Sequence, residues 1–169
     1  MAGTNATGAN APIRGAGPID LFFARYHQFA YNPHAESWSE YFRMCAFFRW
    51  NKRSKKERKV RTLFQDAIVA EFGAHYGADE NKLDTLQRLC EKLDIFPVPQ
   101  SITSCKKAVR SVHVNIMDFV DCERTGNPVH KFRSVGQLQR YTFSHEKFFP
   151  KKQAKGSSLL RYLLRRLVR

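Results

Sequence analysis

The spacing of apolar residues between Ser54 and Tyr76 constrains the fold more than any other feature of the chain. Apolar side chains recur there every three or four residues, at Val60, Phe64, Ala67, Ile68 and Phe72. This is the spacing of one face of an α-helix. Ser54, with Glu57 three residues later, forms a capping-box signature for a helix start. The sequence therefore predicts a long helix whose second half lies against a core.

Similar spacing elsewhere predicts an all-α fold. Helices are expected from Ile19 to Phe29, from Ser37 to Trp50, where Ser37 and Glu40 form a capping box, and from an Asp79 N-cap through Leu93. Further helices are expected from Ser101 as one long run to Gly126, from Ser134 to Tyr141, and from Ser157 to Arg169. Residues 1–18, rich in Gly, Ala, Asn and Thr, are expected to be a disordered tail. A chain of 169 residues fits one domain. We therefore expect a compact single-domain bundle of about five to seven helices over residues 19–169.

The charge of the chain is strongly positive and unevenly distributed. Lys and Arg number 29 against 15 Asp and Glu, a formal net charge of +14. Most of the excess lies in two segments, Arg49 to Arg61 and Glu146 to Arg169, whereas the segment from Thr62 to Gln100 is net acidic. A positive field concentrated in this way favours polyanions such as nucleic acid.

The first functional hypothesis is non-specific nucleic-acid binding in the nucleus through phosphate contacts. Its residues are those of the first basic segment: Arg49, Lys52, Arg53, Lys55, Lys56, Arg58, Lys59 and Arg61. A second basic patch could be formed by Lys147, Lys151, Lys152, Lys155, Arg161, Arg165, Arg166 and Arg169. No known base-reading module is present, so sequence specificity is not predicted.

The same residues allow two other interpretations. Short runs such as Lys52-Arg53-Ser54-Lys55 fit a nuclear-import signal. The chain would then be a protein-interaction module with an acidic protein as partner and no direct nucleic-acid binding. For either function the expected location is the nucleus, with the cytoplasm as the alternative. A basic surface without any cognate ligand is the third interpretation.

Several short motifs together resemble a large group of small fungal proteins. They are Phe23-Ala24-Arg25-Tyr26, Tyr31-Asn32-Pro33, Glu40-Tyr41-Phe42-Arg43-Met44, Tyr76-Gly77-x-Asp79, Leu89-Cys90-x-x-Leu93-x-Ile95 and Val114-Asn115-Ile116-x-Asp118-x-Val120-Asp121. The likeness continues through Tyr141-Thr142, Phe149-Pro150-Lys151 and the Leu-rich end. The resemblance implies a fungal source and one compact domain. That group has no established activity, cofactor or site to transfer.

The sequence contains no catalytic motif, and we predict neither an enzyme nor a cofactor or metal site. It has no Gly-rich phosphate loop, nucleophile elbow or HExxH motif. Glu71 with His75 one turn later is the strongest pair for acid–base or metal chemistry, and a structural helix pair is the favoured interpretation. Asn115, Asp118 and Asp121, beside His113, could bind a cation or pair with Arg and Lys.

The four cysteines are expected to be buried and reduced. Cys45, Cys90, Cys105 and Cys122 lie singly in apolar patterns, which predicts buried reduced thiols in a reducing compartment.

No apolar run reaches the ~18–20 residues of a membrane span. The C-terminal helix could contact an anionic membrane surface or an acidic partner. Docking of its leucines on the core is the preferred interpretation.

Overall fold

Helices make up most of the described part of the chain. A computed structural model describes residues 16–77, 79–149, 151–154 and 157–164. Its α-helices are α1 Pro18–Ala24, α2 Ser37–Phe47, α3 Lys55–Tyr76, α4 Leu83–Lys92, α5 Ile102–Ser111, α6 Ile116–Thr125, α7 Val135–Ser144 and α8 Lys151–Ala154, followed by a 3₁₀ turn at Leu160–Tyr162. An isolated antiparallel bridge joins His113 to Phe132. The all-α prediction is confirmed.

The long helix α3 is the element around which the others pack. It contacts α1, α4, α6 and α8. Its predicted apolar face is buried, with Val60, Phe64, Ile68 and Phe72 in the core. Buried apolar residues from Ile19 to Leu163 form one cluster. The burial of this face supplies most of the stabilisation of such a helix.

Aromatic rings fill the core on one side of α3. The Phe64 ring lies 4.8 to 5.8 Å, centroid to centroid, from the rings of Phe22, Phe23, Trp38 and Tyr41. Rings at these separations gain attraction beyond the burial of their area. The contacts fasten α1 and α2 to the first half of α3.

Three serine caps were predicted correctly. The side chains of Ser54, Ser101 and Ser134 accept hydrogen bonds from backbone N–H groups three residues later. Gly126 ends α6 in the left-handed conformation, as expected. In the Ser54 capping box only half of the motif forms, because the Glu57 carboxylate accepts from the backbone of Arg53 at 3.1 Å.

Two predicted caps were wrong. Ser37 is the first residue of α2 and not its cap, and its N and Oγ both donate to Oδ2 of Asp121, at 2.8 and 2.9 Å. Asp79 accepts from Asn81 in a turn, and α4 begins only at Leu83. In the first case a buried carboxylate on α6 competes successfully for the serine.

The predicted long helix from Ser101 to Gly126 is two helices. Val112 leaves the helical conformation, and the backbone between α5 and α6 pairs with Phe132 through the carbonyl of His113. Asn115 then caps α6, its Oδ1 accepting from Met117 N at 3.0 Å. The apolar spacing is continuous across the break because both sides face the same core.

The structure near the chain end also differs from the predicted helix. Ser157 accepts from Leu160 N at 3.2 Å, but only the 3₁₀ turn at Leu160–Tyr162 follows. Leu159, Leu160 and Leu163 are buried in the core, which confirms the docking prediction for these three leucines. Residues 165–169 lie outside the described residues.

The first helix begins one residue before its predicted start at Ile19. Residues 1–15 of the predicted tail lie outside the described residues. α1 begins at Pro18 and ends at Ala24, before the predicted end at Phe29. Oε2 of Glu71, on α3, accepts a hydrogen bond from Ile19 N at 2.9 Å and so fixes the start of α1.

Candidate nucleic-acid interface

The loop between α2 and α3 holds the first basic residues in a fixed backbone conformation. Beyond the end of α2, Arg49 N donates to Ala46 O and Trp50 N donates to Cys45 O, at 3.0 and 2.9 Å. This is a Schellman motif with arginine in place of the usual glycine. Arg49 has a φ of 52° and Arg53 a φ of 64°. Left-handed conformations are uncommon for residues other than glycine, and here local hydrogen bonds to the end of α2 and to the Glu57 carboxylate maintain two of them.

We call the eight predicted residues from Arg49 to Arg61 the α3 basic surface. Six of them are exposed and have no acidic partner among the described residues: Arg49, Arg53, Lys55, Lys56, Arg58 and Lys59. Lys52 is exposed as well, but its Nζ lies 2.6 Å from Oε1 of Glu146. The loop and the first turns of α3 therefore present a group of cations to solvent.

Arg61 is placed differently from the other seven. It is half-buried, and its Nε donates to Oε1 of Glu57 at 2.8 Å. The same oxygen accepts from the Tyr41 hydroxyl at 2.9 Å. Burial of Glu57 opposes its ionisation, but the hydrogen bonds from Arg61 and Tyr41 outweigh this and lower its pKa. Arg61 is thus part of the interior ion pair that positions the backbone of Arg53.

The second predicted patch is reduced by the fold. Lys147 is only 4% exposed, and its Nζ donates to Glu36 and Asp118 at 2.5 Å and to the Tyr141 hydroxyl at 3.0 Å. Burial disfavours its charge, but the hydrogen bonds with Asp118 and Glu36 dominate and raise its pKa. Lys147 is therefore a buried structural cation, contrary to the prediction of a surface patch residue.

The other members of that patch are only partly described. Lys152 and Arg161 are exposed, and Arg161 lies 3.6 Å from Glu80. The side chain of Lys151, on α8, lies outside the part of the chain that the structure describes, and so do Lys155, Arg165, Arg166 and Arg169. The structure does not bring Lys152 and Arg161 into one ion-pair network.

The pair Glu71 and His75 lies at the start of α1. The Glu71 carboxylate is buried, accepts from Ile19 N, and lies 3.4 Å from Nε2 of His75. Adding a Cβ to Gly17 would place it 2.4 Å from this carboxylate. The pair therefore fills a tightly packed helix junction, as the structural interpretation expected.

The polar residues of α6 and its cap Asn115 are paired within the protein. Asn115 donates to Thr142 and to the carbonyl of Lys147, in addition to capping α6. Asp118 pairs with Lys147, and Asp121 pairs with Arg124 at 2.8 Å. The described ranges contain no group of His, Cys, Asp and Glu residues arranged to hold a metal ion. All four cysteines are buried and free.

Aromatic residues next to the α3 basic surface were not identified from the sequence as site residues. Phe47, the last residue of α2, is 55% exposed. Trp50 is half-buried, stacked on Phe48 with centroids 5.0 Å apart, and Nζ of Lys56 lies 5.0 Å from its ring centroid. The signal in the sequence was the close spacing of aromatic and basic residues from Phe47 to Arg53, a combination that single-strand-binding surfaces use.

No family model, characterised protein or solved structure matches the chain. The resemblance to small fungal proteins therefore stays a prediction. Among the helices that the structure describes, none combines the length and apolar composition that a bilayer crossing requires.

Proposed function

We propose that the protein binds nucleic acid non-specifically, through contacts between phosphates and the α3 basic surface. The observation that carries this proposal is the set of six exposed cations without acidic partners in the described part of the chain. Lys and Arg in this arrangement neutralise phosphates and release their counterions, which provides most of non-specific affinity.

The position of these cations does not benefit the helix that carries them. Positive side chains near a helix N-terminus interact unfavourably with the helix dipole. Lys55 and Lys59 are also like charges four residues apart, which disfavours a helix by a few tenths of a kcal/mol. Other cations, such as Arg61 and Lys147, are placed against acids by the fold. A polyanionic partner accounts for a cluster of cations that the helix dipole and their mutual repulsion disfavour.

A salt titration tests the proposal. Contacts from six cations would give a slope of log affinity against log salt of up to about −5 on duplex and −4 on a single strand. Fluorescence anisotropy with a labelled oligonucleotide measures this slope. Absence of binding at low salt, or affinity that does not change with salt, would refute the proposal.

A pair of charge variants localises the contact. Arg58→Gln with Lys59→Gln removes two cations from the α3 basic surface, and we expect the slope to fall by about 1.4 to 1.8. Lys107→Gln with Arg140→Gln is the matched control, because it removes one exposed lysine and one exposed arginine from α5 and α7. Equal effects of the two double variants would mean that only net charge matters.

Nuclear location is part of the proposal and also gives the second candidate function. Lys52, Arg53, Lys55 and Lys56 are all exposed, as an import signal requires. In a protein-interaction module these residues would serve import alone. Affinity purification with and without nuclease separates the two functions: partners lost on digestion support nucleic-acid binding, and partners retained support the interaction module.

A further inference from the structure

The exposed ring of Phe47 lacks an explanation in the fold. It ends α2, is 55% exposed, and is not part of the hydrophobic core cluster. Its neighbours Phe29 and Phe48 contact it in tilted and edge-on geometries, at 5.8 and 4.9 Å, and no ring of the described residues is stacked parallel on it. Scattered exposed apolar residues are common, and its surroundings are what distinguish this one.

Phe47 is connected to cations on both sides through a row of rings. On one side it contacts Phe48, which stacks on Trp50 below the ammonium group of Lys56. On the other side it contacts Phe29, whose ring centroid lies 4.3 Å from the guanidinium carbon of Arg43, a cation that is itself paired with Glu40. Arg49 follows two residues later. An aromatic face thus lies at the edge of the α3 basic surface.

We propose that the partner is single-stranded nucleic acid, with one unpaired base stacked on Phe47 while the α3 basic surface holds the neighbouring phosphates. This inference rests on the proposed function and names its ligand class. Base faces are accessible in a single strand and covered in a duplex, so an exposed ring beside a phosphate-binding surface stacks on an unpaired base without the cost of unstacking a duplex. Stacking tolerates every base, which agrees with the absence of a base-reading module.

The test compares three ligands that separate the base from the phosphate. They are a 20-nucleotide single strand, a 20-base-pair duplex, and inorganic polyphosphate, which has charge but no bases. We expect Phe47→Ala to weaken single-strand binding roughly 5- to 100-fold and to leave duplex and polyphosphate binding unchanged. Phe47→Trp should retain single-strand binding, because it keeps an aromatic face. Deoxythymidine and uridine oligonucleotides distinguish DNA from RNA.

Phe96→Ala is the matched control. Phe96 is 69% exposed but lies beside Asp94, away from the basic surface in sequence, and its removal should change no affinity. Thermal unfolding of each variant checks that it is folded. Quenching of tryptophan emission by the single strand gives a second readout, because Trp50 is half-buried whereas Trp38 is fully buried.

The outcomes separate the inference from the proposed function. If Phe47→Ala binds the single strand as tightly as the wild type, or loses affinity equally for polyphosphate, the stacking proposal is overturned and phosphate binding stands. If none of the ligands binds at low salt, both fail. Selective loss of single-strand affinity, restored by Phe47→Trp, supports the proposal.

Discussion

Replacing Lys147 by methionine should destabilise the fold by about 3 kcal/mol. The variant keeps the length of the side chain and leaves Asp118 and Glu36 without their cation. Removing one partner of a buried ion pair costs about 3–5 kcal/mol. Here the lower end applies, because the Glu36 side chain is 41% exposed and can turn to water, whereas that of Asp118 is only 14% exposed. Urea unfolding at pH 7 measures the difference.

The pH dependence of the difference provides a sharper test. The pKa of Glu36 lies below its usual 4.5, because the hydrogen bond from Lys147 outweighs the effect of burial. A carboxylate with a lowered folded-state pKa stabilises the fold above its unfolded pKa, and this stability is lost as the pH falls through the folded value. Protonation of the uncompensated acids also relieves the variant. The stability gap should therefore be largest near pH 7 and shrink below about pH 4.5.

Lys152→Met is the control for this experiment. Lys152 is exposed, so its replacement should change the stability by less than about 0.5 kcal/mol. If Lys147→Met is as stable as Lys152→Met at pH 7, Lys147 is not a structural cation. If it instead reduces the salt dependence of nucleic-acid binding without loss of stability, Lys147 belongs to the binding surface after all.

Three further predictions concern the core and its junctions. Gly17→Ala should lower the melting temperature, because the new Cβ would meet the buried Glu71 carboxylate; an unchanged melting temperature would show that this junction can yield. Leu160→Ala should cost about 2–5 kcal/mol in urea unfolding, since Leu160 is fully buried, and a loss below 1 kcal/mol would contradict docking of the chain end. Burial raises the pKa of Asp121 from 3.8 to about 6, against the opposing effects of Arg124 and Ser37. Ionisation of Asp121 therefore opposes folding, so Asp121 should make the wild type more stable as the pH falls from 7 to 5. The Asp121→Asn variant should lose this part of the pH dependence of stability, which urea unfolding at each pH measures.

Features that depend on neighbours in sequence could be predicted. Ser54, Ser101 and Ser134 cap helices because the N–H groups that they satisfy lie within three residues. Ser37 has the same local pattern but bonds Asp121, which is 84 residues away. No local pattern contains that partner. The break before Asn115 did have a local signal, since asparagine is a good N-cap, but the uninterrupted apolar spacing obscured it.

In the candidate site, too, local features could be predicted and pairing with distant residues could not. Basic residues of the segment from Arg49 to Arg61 could be selected from their density alone, and most of them are exposed. Sequence density cannot indicate which cations the fold pairs with acids, so Arg61 and Lys147 were included with the others. Phe47 lies inside the predicted helix from Ser37 to Trp50 but was not identified as a site residue, and its exposure depends on where that helix ends.

The two left-handed residues of the loop, Arg49 and Arg53, have a consequence for binding kinetics. Their backbones are already held in place by the end of α2 and by Glu57, so under the proposed function an arriving phosphate chain would not have to wait for the loop to order. Encounter is then governed by diffusion and electrostatic steering, which can bring association rates to about 10⁸–10⁹ M⁻¹s⁻¹ at low salt. A cationic surface that captures its polymer at this speed and holds it mainly by charge also releases it quickly as salt rises. Such a protein would move along a strand by repeated short dissociation and recapture.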